Sequence, residues 1–99
     1  MSQTLNFSWN DEKNESNISK HGVSFETAIK VFDDPFSISA QDRYIDGEER
    51  WQTVGIVGSV VVLLVAHTWK EDDETVNVRI ISARKATPAE RNRYEKQNF

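Results

Sequence analysis

The segment Val60-Val-Val-Leu-Leu-Val-Ala-His-Thr68 decides the fold of this 99-residue chain. It is apolar on both faces, and this pattern is typical of a strand at the centre of a sheet. The apolar run itself, residues 60–66, is far shorter than the ~20 residues that a membrane-spanning helix needs. We therefore expect a sheet that is built around residues 60–68.

The segments on both sides of this run alternate between apolar and polar residues, as half-buried strands do. Ile38 and Ala40 show this period before the run, and Val76 and Val78 show it afterwards. We expect strands over residues 36–41, 50–57, 60–68 and 75–83, a charged loop over 42–49, a turn at Gly58-Ser59 and a solvated hairpin tip over 70–74. Because the connections have the length of hairpin loops, the sheet should be mostly antiparallel.

The beginning of the chain predicts a short strand and then a helix. Residues 5–9 alternate with a period of two. Asn10 or Asp11 can cap a helix that runs to about His21, and Gly22 is a natural stop because glycine readily adopts the left-handed conformation.

Two further helices follow from capping signals. Ser24 precedes an amphipathic segment that ends at Asp33-Asp34-Pro35, because the residue before proline avoids the α region. Thr87-Pro88-Ala89-Glu90 is a capping box with proline at the first helical position. This last helix has few apolar residues, so we expect it to lie on an edge or to detach.

The resulting order of elements is β-α-α-β-β-β-β-α. We therefore predict an α+β fold whose first two helices pack on one face of the sheet. The length of the chain fits one domain, residues 1–99.

The composition excludes several kinds of site. The chain has no cysteine and two histidines. A disulfide framework, a thiolate nucleophile and a cysteine metal site are excluded, and a histidine-poor chain predicts no metal and no cofactor. The first residues lack the basic and apolar regions of a secretory signal, so we expect a soluble, cytoplasmic protein.

The net charge of −4 argues at first against nucleic-acid binding, but the charge is segregated. Residues 1–78 carry a net charge of −8, and residues 79–99 carry +4. Because salt screens charges beyond about 8 Å, a basic stripe can bind phosphates despite a negative total. The alternative is a terminal helix whose cations are merely solvated.

Motifs distributed over nearly the whole chain resemble the BrnT family. They are Phe7-x-Trp9, Lys13, Asn17, Lys20-His-Gly-Val-Ser-Phe25, Val31-Phe-Asp-Asp-Pro35, Gly47-Glu-x-Arg50, Gly55, Arg79-Ile-Ile-Ser-Ala-Arg84-Lys-Ala-Thr, Glu90 and Tyr94. The chain departs from many family members at Trp69-Lys70, where they have an acidic residue and then an arginine.

The resemblance implies a ribonuclease toxin of a bacterial type II toxin–antitoxin system, with a RelE-like fold. Such a toxin cleaves RNA and arrests translation. The resemblance also implies a BrnA-like ribbon-helix-helix antitoxin, through which alone operator DNA is contacted. The resemblance is compatible with a homodimer or with a toxin–antitoxin heterotetramer. The alternatives are a catalytically weak or inactive BrnT-like binding module that acts as antitoxin partner or co-repressor, and an unrelated α+β interaction domain.

RNA cleavage without a metal needs a base, cations for the charge on phosphorus, and an acid. Arg79 is the first candidate for the cation, because it lies on the polar face of the last strand; a cross-strand ion pair is the alternative. Arg50 and Arg84 are expected to flank Arg79. The alternatives are an ion pair of Arg50 with Glu48 or Glu49, and hydrogen bonds of Arg84 to the last turn.

His67 and His21 can titrate near neutrality and act as base or acid. The alternatives are a satisfied, partly buried His67 and a His21 that caps its helix. Tyr94 can donate a proton or stack on a base, or it can pack on the sheet.

Further residues are candidates for binding RNA. They are Trp9, Lys13, His21, Lys85 and Arg91. For Trp9 the alternative is a place in the core, and for Lys13 it is simple solvation.

Overall fold

A six-stranded sheet carries helices on both of its faces. The computed structural model describes residues 3–98, except for the side chain of Asn98. The elements are β1 (Thr4–Ser8), α1 (Asp11–His21), α2 (Phe25–Ala28), a 3-10 helix (Ile29–Asp33), β2 (Ile38–Ile45), β3 (Glu48–Val57), β4 (Val61–His67), β5 (Lys70–Asp72), β6 (Thr75–Lys85) and α3 (Pro88–Asn98).

The strand order is β1-β6-β4-β3-β2, and the short β5 pairs with β6. Only β1 and β6 are parallel among the described pairs; the others are antiparallel. β4 therefore lies in the middle of the sheet, as its apolar sequence predicts. The α+β class and the mostly antiparallel sheet are confirmed.

Two separate cores cover the two faces of the sheet. On one face α2 and the 3-10 helix bury Phe25 and Val31 against Leu63 and Val65 of β4, and α1 packs beside them against β6. On the other face Tyr94 of α3 packs with residues of β3 and β4 that include Val54 and Leu64. The two N-terminal helices cover one face, as expected, but α3 covers the other face instead of lying on an edge or detaching.

Local signals for the helix ends are confirmed. The side chain of Asn10 accepts a hydrogen bond from the backbone of Lys13, and Gly22 ends α1 with φ 70°. Ser24 caps α2 through the backbone N–H of Thr27. The second helix is nevertheless shorter than predicted, because it tightens into a 3-10 helix after Ala28.

Gly55 explains how closely this 3-10 helix approaches the sheet. A Cβ atom at Gly55 would lie 3.0 Å from both Cβ and the carbonyl oxygen of Val31. The backbone of the helix therefore contacts β3 at a position where only glycine fits without a shift.

The predicted charged loop over 42–49 is wrong. β2 continues to Ile45 and β3 begins at Glu48, and the two-residue turn Asp46-Gly47 has positive φ at both positions. Asp-Gly with two positive φ angles is a favoured hairpin turn, so charged residues here form an exposed ladder instead of a loop.

The predicted hairpin tip over 70–74 is also partly wrong. Lys70–Asp72 forms β5, which pairs with β6, and Asp73 supplies the positive φ of the turn. All three residues of β5 are charged and exposed, so no alternation of apolar and polar residues indicates this strand.

Candidate active site

The candidate site is a cleft at the end of β4. His67 is the last residue of β4 and pairs with Trp51 of β3 and Ile80 of β6. β3 begins at Glu48 and β6 begins at Thr75, so both strands extend past the end of β4. The β2–β3 hairpin and the β5–β6 hairpin therefore border a cleft, which we call the hairpin cleft.

A single carboxylate joins the two sides of the hairpin cleft. Arg79 of β6 donates two hydrogen bonds to Glu48 of β3, Nη1–Oε2 at 3.1 Å and Nη2–Oε1 at 2.6 Å. Nη2 of Arg50 lies 3.5 Å from Oε1 of the same carboxylate. The hydrogen bonds from Arg79 lower the pKa of Glu48 against the opposing effect of burial, and the charges of Arg79, Arg50 and Lys70 lower it further. Two arginines thus contact one carboxylate, and Lys70 adds a third positive charge at longer range.

The two arginines are held differently. The backbone N–H of Arg79 donates to Oγ1 of Thr68 at 3.1 Å, and its carbonyl accepts from the N–H of Thr68 at 3.0 Å. The Arg79 side chain is 45% exposed, whereas that of Arg50 is 21% exposed. Nε of Arg50 is buried and has no hydrogen-bond partner among the described residues. Arg50 therefore has one buried donor that no described residue satisfies.

His67 lies beneath the cleft with both ring nitrogens engaged. Nδ1 is 2.9 Å from the carbonyl oxygen of Thr68, which can only accept, so Nδ1 carries the proton. Nε2 then accepts from the Thr53 hydroxyl at 2.7 Å. Burial lowers the pKa of His67, and the bond to the Thr68 carbonyl opposes this only in part. The structure thus matches the alternative of a satisfied, buried histidine.

Tyr94 lies far from the hairpin cleft. It is buried, and its hydroxyl donates to Oδ2 of Asp34, which also accepts from the backbone N–H of Ile56. Ile56 pairs with Val62 near the start of β4, about 16 Å along the strand from His67. Burial and the bond to Asp34 raise the pKa of Tyr94 to about 12. Packing on the sheet is therefore the role that the structure gives to Tyr94.

The expectation that Arg84 flanks Arg79 is wrong. Arg84 pairs with Leu64 in the middle of β4, and both of its terminal nitrogens bind Glu90, at 2.8 and 3.0 Å. Glu90 also accepts from the N–H of Thr87, which completes the capping box. The bonds from Arg84 are the main cause that lowers the pKa of Glu90 to about 2. Arg84 therefore fixes the start of α3.

The five predicted RNA-binding residues are not brought together. Lys13 and His21 are exposed on α1, beside a shallow depression that also includes Lys20. Trp9 is half-buried, with its ring edge-on to Phe25 at 6.2 Å between centroids.

The other two predicted RNA-binding residues lie elsewhere. Lys85 ends β6 and is exposed. Arg91 on α3 donates to the carbonyl oxygen of Val60 at 2.8 Å. None of the five lines the cavities at the hairpin cleft.

Sequence reasoning missed several residues of the cleft. From the sequence, Glu48 belongs to a family motif and is an alternative ion-pair partner of Arg50, and Lys70 belongs to the solvated hairpin tip and departs from the family pattern; neither is a candidate site residue. The Asp46-Gly47 turn signal was available, and period-two alternation after it places Glu48 and Arg50 on one face of β3. Nothing local indicates that Lys70 lies near them.

Residues 3–98 contain neither a membrane-spanning helix nor a cluster of metal ligands. No helix among residues 3–98 is long and apolar enough to cross a membrane. No group of three or more histidine, aspartate or glutamate side chains in this part of the chain could hold a metal ion.

Comparison with solved structures defines the class of the fold. The structure matches the crystal structure of the Brucella abortus ribonuclease toxin BrnT with a TM-score of 0.55 and 19% sequence identity, covering 88% of this chain and 99% of that one. The chain thus shares the fold of that toxin. Among curated protein sequences, none matches the chain.

The sequence itself gives the family. The family model described as "Ribonuclease toxin, BrnT, of type II toxin-antitoxin system" matches residues 9–90, which is most of the chain. The chain therefore belongs to the BrnT family of ribonuclease toxins, and an antitoxin is its implied partner.

Proposed function

We propose that this toxin cleaves RNA in the hairpin cleft without a metal ion, with Arg79, Arg50 and Lys70 as the phosphate-binding cations. The observation that carries this proposal is the convergence of Arg79 and Arg50 on Glu48, which lines one depression together with Lys70. A planar guanidinium can bind two phosphate oxygens, and Arg79 already makes such a two-point contact with a carboxylate. An incoming phosphate competes with Glu48 for the same donors.

Glu48 is the base of the proposed reaction. Its lowered pKa keeps it ionised at neutral pH, in the form that accepts a proton. When a phosphate takes over the guanidinium groups, the contacts that lower this pKa weaken, and the carboxylate becomes a stronger base.

The proposed step transfers one proton at each end of the scissile bond. The 2′-hydroxyl gives its proton to Glu48, and the 2′-oxygen attacks phosphorus. The bond from phosphorus to the 5′-oxygen breaks, and that oxygen takes a proton from the ammonium of Lys70. The products are a 2′,3′-cyclic phosphate and a 5′-hydroxyl, and the arginines stabilise the added charge on phosphorus.

An RNA cleavage assay in EDTA tests this proposal. Wild-type protein should cleave, and Arg79→Ala and Glu48→Gln should each slow cleavage by about 10²- to 10⁴-fold. Arg43→Ala is the matched control, because Arg43 is 67% exposed and its ion pair is with the adjacent Asp42. A 2′-deoxy substitution at the cleaved nucleotide should abolish the reaction. Unchanged cleavage by Glu48→Gln would refute its role as base.

We also propose that the toxin acts in the cytoplasm and inhibits translation, and that a BrnA-like ribbon-helix-helix antitoxin neutralises it. These proposals rest on the family. Expression of the toxin alone should stop growth, and co-expression with the product of the adjacent reading frame should restore it. The mass of the purified complex distinguishes a heterotetramer from a complex that contains one toxin, and the mass of free toxin tests for a homodimer.

A second candidate function is an antitoxin-binding co-repressor without catalysis. It is favoured by the same ion pairs, because Glu48 partly neutralises Arg79 and Arg50. This reading predicts normal growth at high expression together with tight antitoxin binding. Growth arrest that depends on Arg79 supports the ribonuclease instead.

A further inference from the structure

A cavity of about 570 Å³ adjoins the depression that Glu48 and Lys70 line. We call it the tryptophan cavity. Its lining residues are Ser39, Glu49, Trp51, His67, Trp69 and Glu71. Trp51 comes from β3 and Trp69 from the segment between β4 and β5, so the two hairpins each contribute a wall. Glu49 and Trp69 also line the neighbouring depression that contains Glu48 and Lys70.

We propose that the tryptophan cavity binds a guanine base of the RNA, a proposal that rests on the proposed ribonuclease function. Two indole rings offer the flat apolar surfaces on which nucleobases stack. Glu49 and Trp69 line both this cavity and the depression that contains Lys70, so a base in the cavity lies next to a phosphate at Lys70.

The polar groups of the cavity select the base. The hydroxyl of Thr53 donates a hydrogen bond to Nε2 of His67. At the 2.7 Å contact between the hydroxyls of Ser39 and Thr53, Ser39 is therefore the donor. Ser39 can then only accept from a ligand. Glu49 and Glu71 are carboxylates and also accept only. The cavity therefore favours a base that presents hydrogen-bond donors.

Glu49 is held in a fixed position for this purpose. Nε1 of Trp51 donates to its Oε1 at 2.7 Å, and the hydroxyl of Tyr44 donates to its Oε2 at 3.1 Å. An ionised carboxylate has about four acceptor sites, so roughly two remain for a ligand.

Guanine fits these remaining acceptors best. It presents two adjacent donors, N1–H and the 2-amino group, to both oxygens of one carboxylate. Adenine and cytosine each place an acceptor nitrogen beside their amino group, and uracil places carbonyl oxygens beside its single N–H. Those acceptors would face the carboxylate oxygens, so the other three bases should bind more weakly.

Calorimetric titration with the four nucleoside 5′-monophosphates tests the proposal without cleavage, since these probes contain no internucleotide bond. Wild-type protein should bind GMP at least about tenfold more tightly than AMP, CMP or UMP. Glu71→Gln should weaken GMP binding about tenfold or more, and Glu49→Gln should do the same. Glu71 is exposed on β5, so its variant should fold normally.

Glu74→Gln is the matched control, because it removes the same charge from the same hairpin outside the cavity. Equal affinity for all four nucleotides, or equal weakening by Glu71→Gln and Glu74→Gln, overturns the proposal. Cleavage of short RNAs next to guanosine supports it further. Selective GMP binding without RNA cleavage supports the cavity and contradicts the ribonuclease; cleavage with equal nucleotide affinities does the reverse.

Discussion

The hydroxyl of Tyr94 donates a 2.5 Å hydrogen bond to Oδ2 of Asp34, which lies sixty residues earlier in the chain. Both side chains are buried. Burial raises the pKa of Asp34, but hydrogen bonds from the backbone of Ile56, from Tyr94 and from the backbone of Phe36 together lower it below the ordinary value. The contact fixes α3 on the sheet at the end opposite to the hairpin cleft.

Tyr94→Phe removes this hydrogen bond and leaves the ring in place. We expect a loss of about 1–3 kcal/mol in the free energy of unfolding, measured by urea denaturation, because Asp34 stays buried with one donor fewer. Tyr44→Phe is the control, since Tyr44 is 65% exposed, and it should change stability far less. Equal stability of the Tyr94→Phe and wild-type proteins would contradict the importance of the contact.

The raised pKa of Tyr94 predicts that the folded protein loses stability at alkaline pH. The pKa of Tyr94 is raised from 10 to about 12, so folding favours the protonated form. The stability that this provides is complete below pH 10 and is lost as the pH rises towards 12. Unfolding free energies measured across this range should fall more steeply for wild type than for Tyr94→Phe. Parallel curves would argue against the raised pKa.

His67 predicts a loss of stability in acid. Its pKa is lowered from 6.5 by burial, so folding favours the neutral ring. Stability should decline as the pH falls below 6.5, because the unfolded chain then binds more protons than the folded one. His67→Gln should remove this component of the acid dependence. His21→Gln, at an exposed position on α1, should retain it; if both variants behave alike, the assignment to His67 fails.

The buried side-chain amide of Asn17 should contribute strongly to the stability of the fold. Nδ2 donates to the carbonyl oxygens of Val23 and Ala83, both at 2.8 Å, and Oδ1 accepts from the N–H of Ala83 at 3.1 Å. β1 ends at Ser8, opposite Arg79, so the side chain of Asn17 satisfies the edge of β6 that β1 does not reach.

Asn17→Ala should therefore cost about 2–4 kcal/mol in the free energy of unfolding, because buried backbone groups at Ala83 and Val23 lose their partner. Asn92→Ala, at an exposed position on α3, should change stability by less than about 0.5 kcal/mol. Chemical denaturation of the two variants measures the difference. Comparable values would show that water replaces the amide.

Gly55→Ala should destabilise the fold. The added methyl group would lie 3.0 Å from Cβ and from the carbonyl oxygen of Val31, and 3.2 Å from Cβ of Ser37. Because the backbone must shift to relieve this contact, we expect the free energy of unfolding to fall by about 1–3 kcal/mol. An unchanged urea midpoint would mean that the 3-10 helix moves away at no cost.

Local patterns predicted the parts of the fold that depend on neighbouring residues. Asn10, Ser24 and the Thr87–Glu90 capping box mark helix starts because each side chain binds a backbone N–H within three residues. The apolar run around Leu63 predicted the central strand because burial on both faces excludes polar residues. The charged residues 42–49 led to the wrong prediction of a loop, because the strands of this hairpin face solvent and accept polar side chains.

The candidate site could be predicted only in part. Arg79 and Arg50 were chosen for the chemistry of guanidinium and for their strands, and the structure brings both to Glu48. Arg84 met the same criteria and is held by Glu90 instead. His67 has a side chain that can act as an acid or a base, but it is buried. Phe32 packs against it, with the centroids of the two rings 5.0 Å apart.

The sequence by itself determined the helix caps, the central strand, the absence of cysteine chemistry and the separation of an acidic body from a basic C-terminal part. The tertiary structure alone decided which cations meet. Arg79 and Glu48 are thirty-one residues apart, and they meet because β4 pairs with β3 on one side and with β6 on the other. Strand register and strand ends are set by packing between distant segments, and no local pattern of residues encodes them.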